Sequence, residues 1–193
     1  MLALLVFGVF AARYAHDSSA GRLDRRVQGL IAPSGRGLSL PDAVILFGNP
    51  ATVVVLAVLL GGLALALGHR RLAVLAIVGP GLTGVATTTL KPIVGRTIDG
   101  GFFAFPSGHT GGATALGVVA ALLLIAVLRT ATGTSALLIA AGATVSGGAM
   151  ALALVADRVH YPTDTLGGFC VAVAAVLTSA LVIERLPQRR RLA

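Results

Sequence analysis

The sequence predicts an all-α integral membrane protein built as a bundle of six transmembrane helices, and three observations carry that expectation. Charged residues make up only 11% of the 193-residue chain, where soluble domains carry about 25%. Mean hydropathy is +0.93. Charge is absent from five stretches, 43–68, 72–90, 110–128, 130–156 and 165–183. A nineteen-residue stretch such as 72–90 spans about 28 Å as a helix, close to the ~30 Å hydrocarbon core of a bilayer. The length suits one membrane domain over residues 1–193, with no second folded unit beside the bundle.

Taken in order, the first helix occupies residues 1–15. Its first twelve residues are free of charge, and Arg13 and Tyr14 mark its interfacial end. A cleaved signal peptide would need a basic segment before the apolar run, which this chain lacks. Residues 16–41 form the one long polar connection, an interfacial loop. Within it Arg22, Arg25 and Arg26 alternate with Leu23, Val27 and Leu30 at helical spacing, which fits a short helix in the membrane interface or a solvated linker. Pro33-Ser34-Gly35 and Pro41 break the chain before the second helix, 43–68, where Asn49-Pro50 marks a first turn or a kink. The remaining helices are expected at 72–90, 109–128, 134–156 and 163–185, followed by a basic tail over 185–193. Gly79, Gly81, Gly84, Gly112, Gly147 and Gly148 stand inside these spans, where small residues let helices approach closely.

The formal charge of +8 could point to nucleic acid, but with two Tyr, no Trp and five apolar stretches the bilayer and its anionic headgroups are the expected partner. The single cysteine, Cys170, excludes an intramolecular disulfide. Six helices place both termini on one side and the loops 16–41, 91–108 and 157–164 together on the other. Arg70, Arg71, Arg129 and the C-terminal arginines favour a cytoplasmic terminal side once Lys91, Arg96 and Arg158 are set aside. That leaves the three loops on the extracytoplasmic face. Usage rich in Ala, Gly and Arg points to a GC-rich bacterial source, hence to the inner membrane and cell-envelope lipids.

Those loops hold the chemistry. Pro106-Ser107-Gly108-His109 opens the fourth helix. Ser107 is placed as its N-cap, and the first free amides and the helix dipole make the turn an anion seat. Gly108, without a Cβ, admits a phosphate oxygen to the backbone. His109 lies beside that seat as a general acid. Lys91 and Arg96, just after the third helix, supply cations for a phosphate near lipid. His160 precedes Asp164 by four residues across Pro162, a first-turn proline. The carboxylate would take one ring N–H and leave the other nitrogen free to attack phosphorus. Asp99, Asp157 and Asp164 beside these motifs are too few carboxylates for a two-metal centre, so no metal and no cofactor is expected.

Lys91, Pro106-Ser107-Gly108-His109 and His160-x-x-x-Asp164 together resemble the type-2 phosphatidic acid phosphatase superfamily, the membrane lipid phosphate phosphatases, over residues 40–185. The resemblance implies a six-helix bundle and a metal-independent phosphatase acting on a polyprenyl or glycerolipid phosphate or diphosphate. His160 would be the nucleophile, Asp164 its orienting partner and His109 the acid, with Lys91, Arg96, Ser107 and Gly108 on the phosphate. The family's Arg-Pro stands seven and eight residues after the Lys, where this chain has Ile98-Asp99. Its third-motif Arg precedes the His by six, where this chain has Leu154. Arg96 and Arg158 are the nearest cations and are expected to take over those charges. A phosphotransferase of the same fold, and a non-catalytic scaffold or transporter, are the alternatives; the displaced arginines speak for the last and the retained histidines against it.

Overall fold

The computed structural model describes residues 1–31, 40–98 and 101–185. They form eight helices and one short hairpin: α1 (Leu2–Tyr14), α2 (Arg22–Leu30), α3 (Leu40–Phe47), α4 (Pro50–Ala66), α5 (Arg70–Val94), β1 (Thr97–Ile98), β2 (Phe102–Phe103), α6 (Gly108–Leu128), α7 (Thr132–Ala156) and α8 (Pro162–Arg185). Four of them, α5 to α8, are each long and apolar enough to cross a membrane, and α3 with α4 makes a fifth if the bent pair counts as one span. The chain is a multi-pass membrane protein. The sixth span expected from sequence falls on α1, an apolar helix of 13 residues, about 20 Å long, which is shorter than the hydrocarbon core.

The second predicted helix is broken. Gly48 and Asn49 turn the chain, and α3 and α4 meet at 60°. The residues dictate the break: Asn49 caps α4 by accepting from the Ala51 N–H at 3.1 Å, and Pro50 occupies the first helical turn, where its missing N–H costs nothing. Gly48 allows the turn to press inward, since a Cβ there would stand 2.7 Å from Met150 Cε and 3.0 Å from His109 Cβ.

α6 lies at the centre, packed against α4, α5, α7 and α8. Its buried Ala115, Val118 and Val119 meet Leu75 and Ala76 of α5, Ala143 of α7 and Ala172 and Val176 of α8. Between α6 and α7 the backbones touch through Gly117 and Gly142, where a Cβ on either would overlap the other's carbonyl. With lipid as apolar as leucine, such contact supplies the packing that hydrophobic burial supplies in water. Val54, Val55, Val58 and Leu59 of α4 stay exposed, as lipid-facing residues do.

Two short elements brace the polar end. β1 and β2 pair antiparallel, Thr97 with Phe103 and Ile98 with Phe102, after Gly95 closes α5 in the left-handed conformation that glycine adopts freely. α1 docks on α8, with Phe7 stacked on Phe105 at 5.5 Å between ring centroids. α2 forms where the Arg–Leu alternation predicts a helix, but the face it buries is not the apolar one. Leu23 and Leu30 are exposed from the protein, and the residue turned fully inward is Asp24.

Candidate active site

The site is assembled where the starts of α6 and α8 meet the end of α5. Ser107 is the N-cap of α6: its hydroxyl accepts from the Thr110 N–H at 3.3 Å and from the Thr110 hydroxyl at 3.2 Å. The Ser107 N–H in turn donates to the Asp164 carbonyl at 2.9 Å, tying the two helix starts together. Gly167 and Gly168 of α8 make that approach possible. A Cβ at Gly167 would press into the Phe105 ring, and one at Gly168 would overlap the Ser107 carbonyl oxygen. Thr110 and Gly111 follow in the buried first turn.

His160 precedes α8 and is buried, with Nδ1 3.6 Å from Asp164 Oδ2. That is ion-pair range but too long for a hydrogen bond, and Nδ1 has no other partner among the described residues. Asp164 itself is fixed. Oδ2 accepts the Tyr161 N–H at 2.9 Å and Oδ1 accepts from Arg96 Nη1 at 2.7 Å. His109, on the first turn of α6, lies close enough to His160 and Lys91 for their charges to interact, and Lys91 is similarly close to Asp164.

Gly108, His109 and Lys91 also line a cavity of about 710 Å³ that runs from this end between α4 and α5. Its walls are apolar away from the site, with Pro50, Val53 and Ile77 among them.

Arg96 corrects the sequence reading. It was expected to grip a phosphate, yet it is completely buried and does not line that cavity. Nη1 bonds Asp164 Oδ1 and the Thr163 hydroxyl, at 2.7 and 2.5 Å. Nη2 bonds Asp24 Oδ2 at 2.6 Å. The guanidinium is sandwiched between the rings of Tyr14 and Tyr161, at 4.1 and 4.6 Å from their centroids. Two carboxylates and two aromatic faces engage its Nη atoms and its plane, and only Nε is left without a hydrogen-bond partner among the described residues. Arg158 is not drawn in either. It is exposed, in a left-handed turn at φ 59°, and makes no ion pair among the described residues. Lys91, Ser107, Gly108, His109, His160 and Asp164 are thus gathered, while the two arginines serve elsewhere or stand apart.

Asp24 is what sequence reasoning missed. Besides the Gly21 N–H three residues before it, its partners are 72 and 139 residues away, and no local spacing signals those.

The fold has counterparts. The family model for the PAP2 superfamily matches residues 72–187. A crystal structure of a transmembrane PAP2-type phosphatidylglycerolphosphate phosphatase from Bacillus subtilis has the same fold, with a TM-score of 0.72, 97% of each chain covered and 20% identity. A search of curated proteins by sequence returns no match.

Proposed function

Because the chain belongs to the PAP2 superfamily, we propose that it is a membrane phosphatase that removes a phosphate from a lipid-linked substrate through a phosphohistidine on His160, without a metal. One observation carries the reading: His109, at the capped N-terminus of α6, lies within charge-interaction range of His160 and opens onto an apolar cavity between helices. A phosphate seated on the Gly108 and His109 amides beside Lys91 would have its lipid tail in that cavity.

In the first step His160 Nε2 attacks phosphorus as the bond to the lipid oxygen breaks, and His109 gives its proton to that oxygen. In the second, water attacks the phosphohistidine, His109 takes the water proton, and inorganic phosphate leaves with His160 restored. Asp164 holds Nδ1–H throughout and balances the charge that develops on the ring. Lys91 and the helix amides stabilise the oxygens in transfer. Ser107 shapes the seat by capping the helix.

Polyprenyl diphosphates, polyprenyl-phosphoryl sugar phosphates, phosphatidic acid and phosphatidylglycerol phosphate all fit a polar head on an apolar tail. The same reading has α1 completing six membrane segments in a bacterial inner membrane. The site then faces outward, as the arginines of the α4–α5 turn and the C-terminal end suggest.

Phosphate release from a panel of lipid phosphates in detergent, with chelator present, tests the proposal. Wild type is expected to turn over and His160→Ala to lose roughly a thousandfold or more in kcat. Activity that survives the alanine change would remove the nucleophile, and activity abolished by chelator would remove the metal-free route. Transfer to an added alcohol in place of free phosphate would favour a phosphotransferase, and complete inactivity a scaffold.

A further inference from the structure

We propose that Asp24 is a positioning residue for the chemistry at His160, acting through Arg96 and Thr163 on Asp164; this rests on the phosphohistidine reading above. Asp24 is carried by α2, a helix whose arginines, Arg22, Arg25 and Arg26, are all exposed while its one carboxylate is completely buried. A buried carboxylate is tolerated only when it is fully bonded. Asp24 is: Oδ2 accepts from Arg96 Nη2 at 2.6 Å and from the Gly21 N–H at 3.0 Å. Oδ1 accepts the Thr163 N–H at 3.0 Å and the Thr163 hydroxyl at 2.8 Å.

Two consequences reach His160. The first is geometric. Thr163 lies between His160 and Asp164 on the first turn of α8, and both its backbone N–H and its hydroxyl are anchored by Asp24, which fixes the turn that aims Asp164 at the imidazole. The second is electrostatic. Arg96 sits 2.7 Å from Asp164 and, alone, would draw on the carboxylate charge that an imidazolium or phosphohistidine at His160 needs. Asp24 engages the other arm of the same guanidinium, so Arg96 is shared between two carboxylates. The cluster of Arg96, Asp24 and Asp164 then carries one net negative charge, which is cancelled when His160 becomes cationic. Asp24 supplies the charge that leaves Asp164 available.

Kinetics and one spectroscopic measurement on the full-length protein in detergent test this. Asp24→Asn keeps the size and removes the charge. We expect kcat on a lipid phosphate to fall by about tenfold to a hundredfold, as for loss of an outer partner that orients a reactive group. KM should stay within about threefold, because no phosphate contact is lost. Asp24→Glu should restore part of the rate. Combined with Arg96→Gln, Asp24→Asn should cost less than it does alone, since its charge effect runs through Arg96 while its anchor on Thr163 does not. A wild-type kcat in folded Asp24→Asn, or losses that add in the double variant, would overturn the proposal. Should Asp24→Asn not fold, Thr163→Val removes the hydroxyl between Asp24 and Arg96 at nearly constant size, and a wild-type kcat there overturns it equally.

The ring nitrogens of His160, observed by nuclear magnetic resonance of ¹⁵N-histidine-labelled protein and assigned with His160→Ala, give a readout that needs no turnover. Their signals should move on Asp24→Asn, and unmoved signals would count against Asp24. A wild type that releases no phosphate from any lipid, yet whose His160 signals move on Asp24→Asn, would retire the phosphatase reading and leave the positioning role standing.

Discussion

Gly108 opens α6 and Gly168 stands on the second turn of α8, both at the site, yet their surroundings impose opposite constraints. A Cβ at Gly108 would meet only Thr87 Oγ1, at an ordinary 3.6 Å, whereas one at Gly168 would overlap the Ser107 carbonyl. Gly108→Ala should therefore fold with a melting temperature unchanged within about 2 °C and raise KM for the lipid phosphate about tenfold by crowding the anion seat. Gly168→Ala should destabilise by about 1–3 kcal/mol, the usual cost of overpacking; thermal unfolding in detergent separates the two. The sequence alone identifies Gly108, because Pro-Ser-Gly-His is a local cap signature, and the Ser107 cap is likewise a contact three residues long. Gly168 is invisible there, since its constraint comes from a backbone 61 residues away in the chain. Arg96 is legible as a functional arginine but not as a buried one. Its fate depends on Asp24 and Asp164, which no spacing rule connects to it.

Among the elements, the α3–α4 break shows how far local chemistry reaches. Asn49-Pro50 announces a turn or a kink, but an unbroken charge-free run conceals that the turn divides the span in two. The β1–β2 hairpin is beyond sequence reasoning of this kind, because two residues per strand leave no alternation to detect. For α2 the period is legible and the inward face is not: a buried, bonded Asp24 overrides an exposed leucine stripe. The cavity between α4 and α5 yields a prediction that belongs to those helices. Gly84 lines it and has nothing within 4 Å of where a Cβ would stand. Gly84→Leu should fill the space without a clash. It should lower kcat/KM for a long-tailed lipid phosphate by about tenfold, a value of the order that apolar contacts command, while a short, soluble phosphate ester is hydrolysed at the wild-type rate. Equal losses on both substrates would show that the tail lies elsewhere.

At the scale of the whole molecule, the membrane class follows from composition, and the gathering of three loops on one face follows from a count of helices. What joins those loops does not, because it is a network of long-range polar contacts. The bond from Asp24 to Thr163 spans 139 residues. A chain entering the membrane from its N-terminus therefore carries Asp24 through the insertion of α5, α6 and α7, and Arg96 through that of α6 and α7, before Thr163 and Asp164 exist to receive them. The last helix is the keystone of assembly as well as the bearer of Asp164. A chain ending at Tyr161 should hold the 20–31 segment open to protease while α5 to α7 stay protected, and co-expression of the missing 162–193 segment should close it. Completion of the reactive centre would then coincide with completion of the membrane insertion itself, so that no partly inserted chain carries a working histidine.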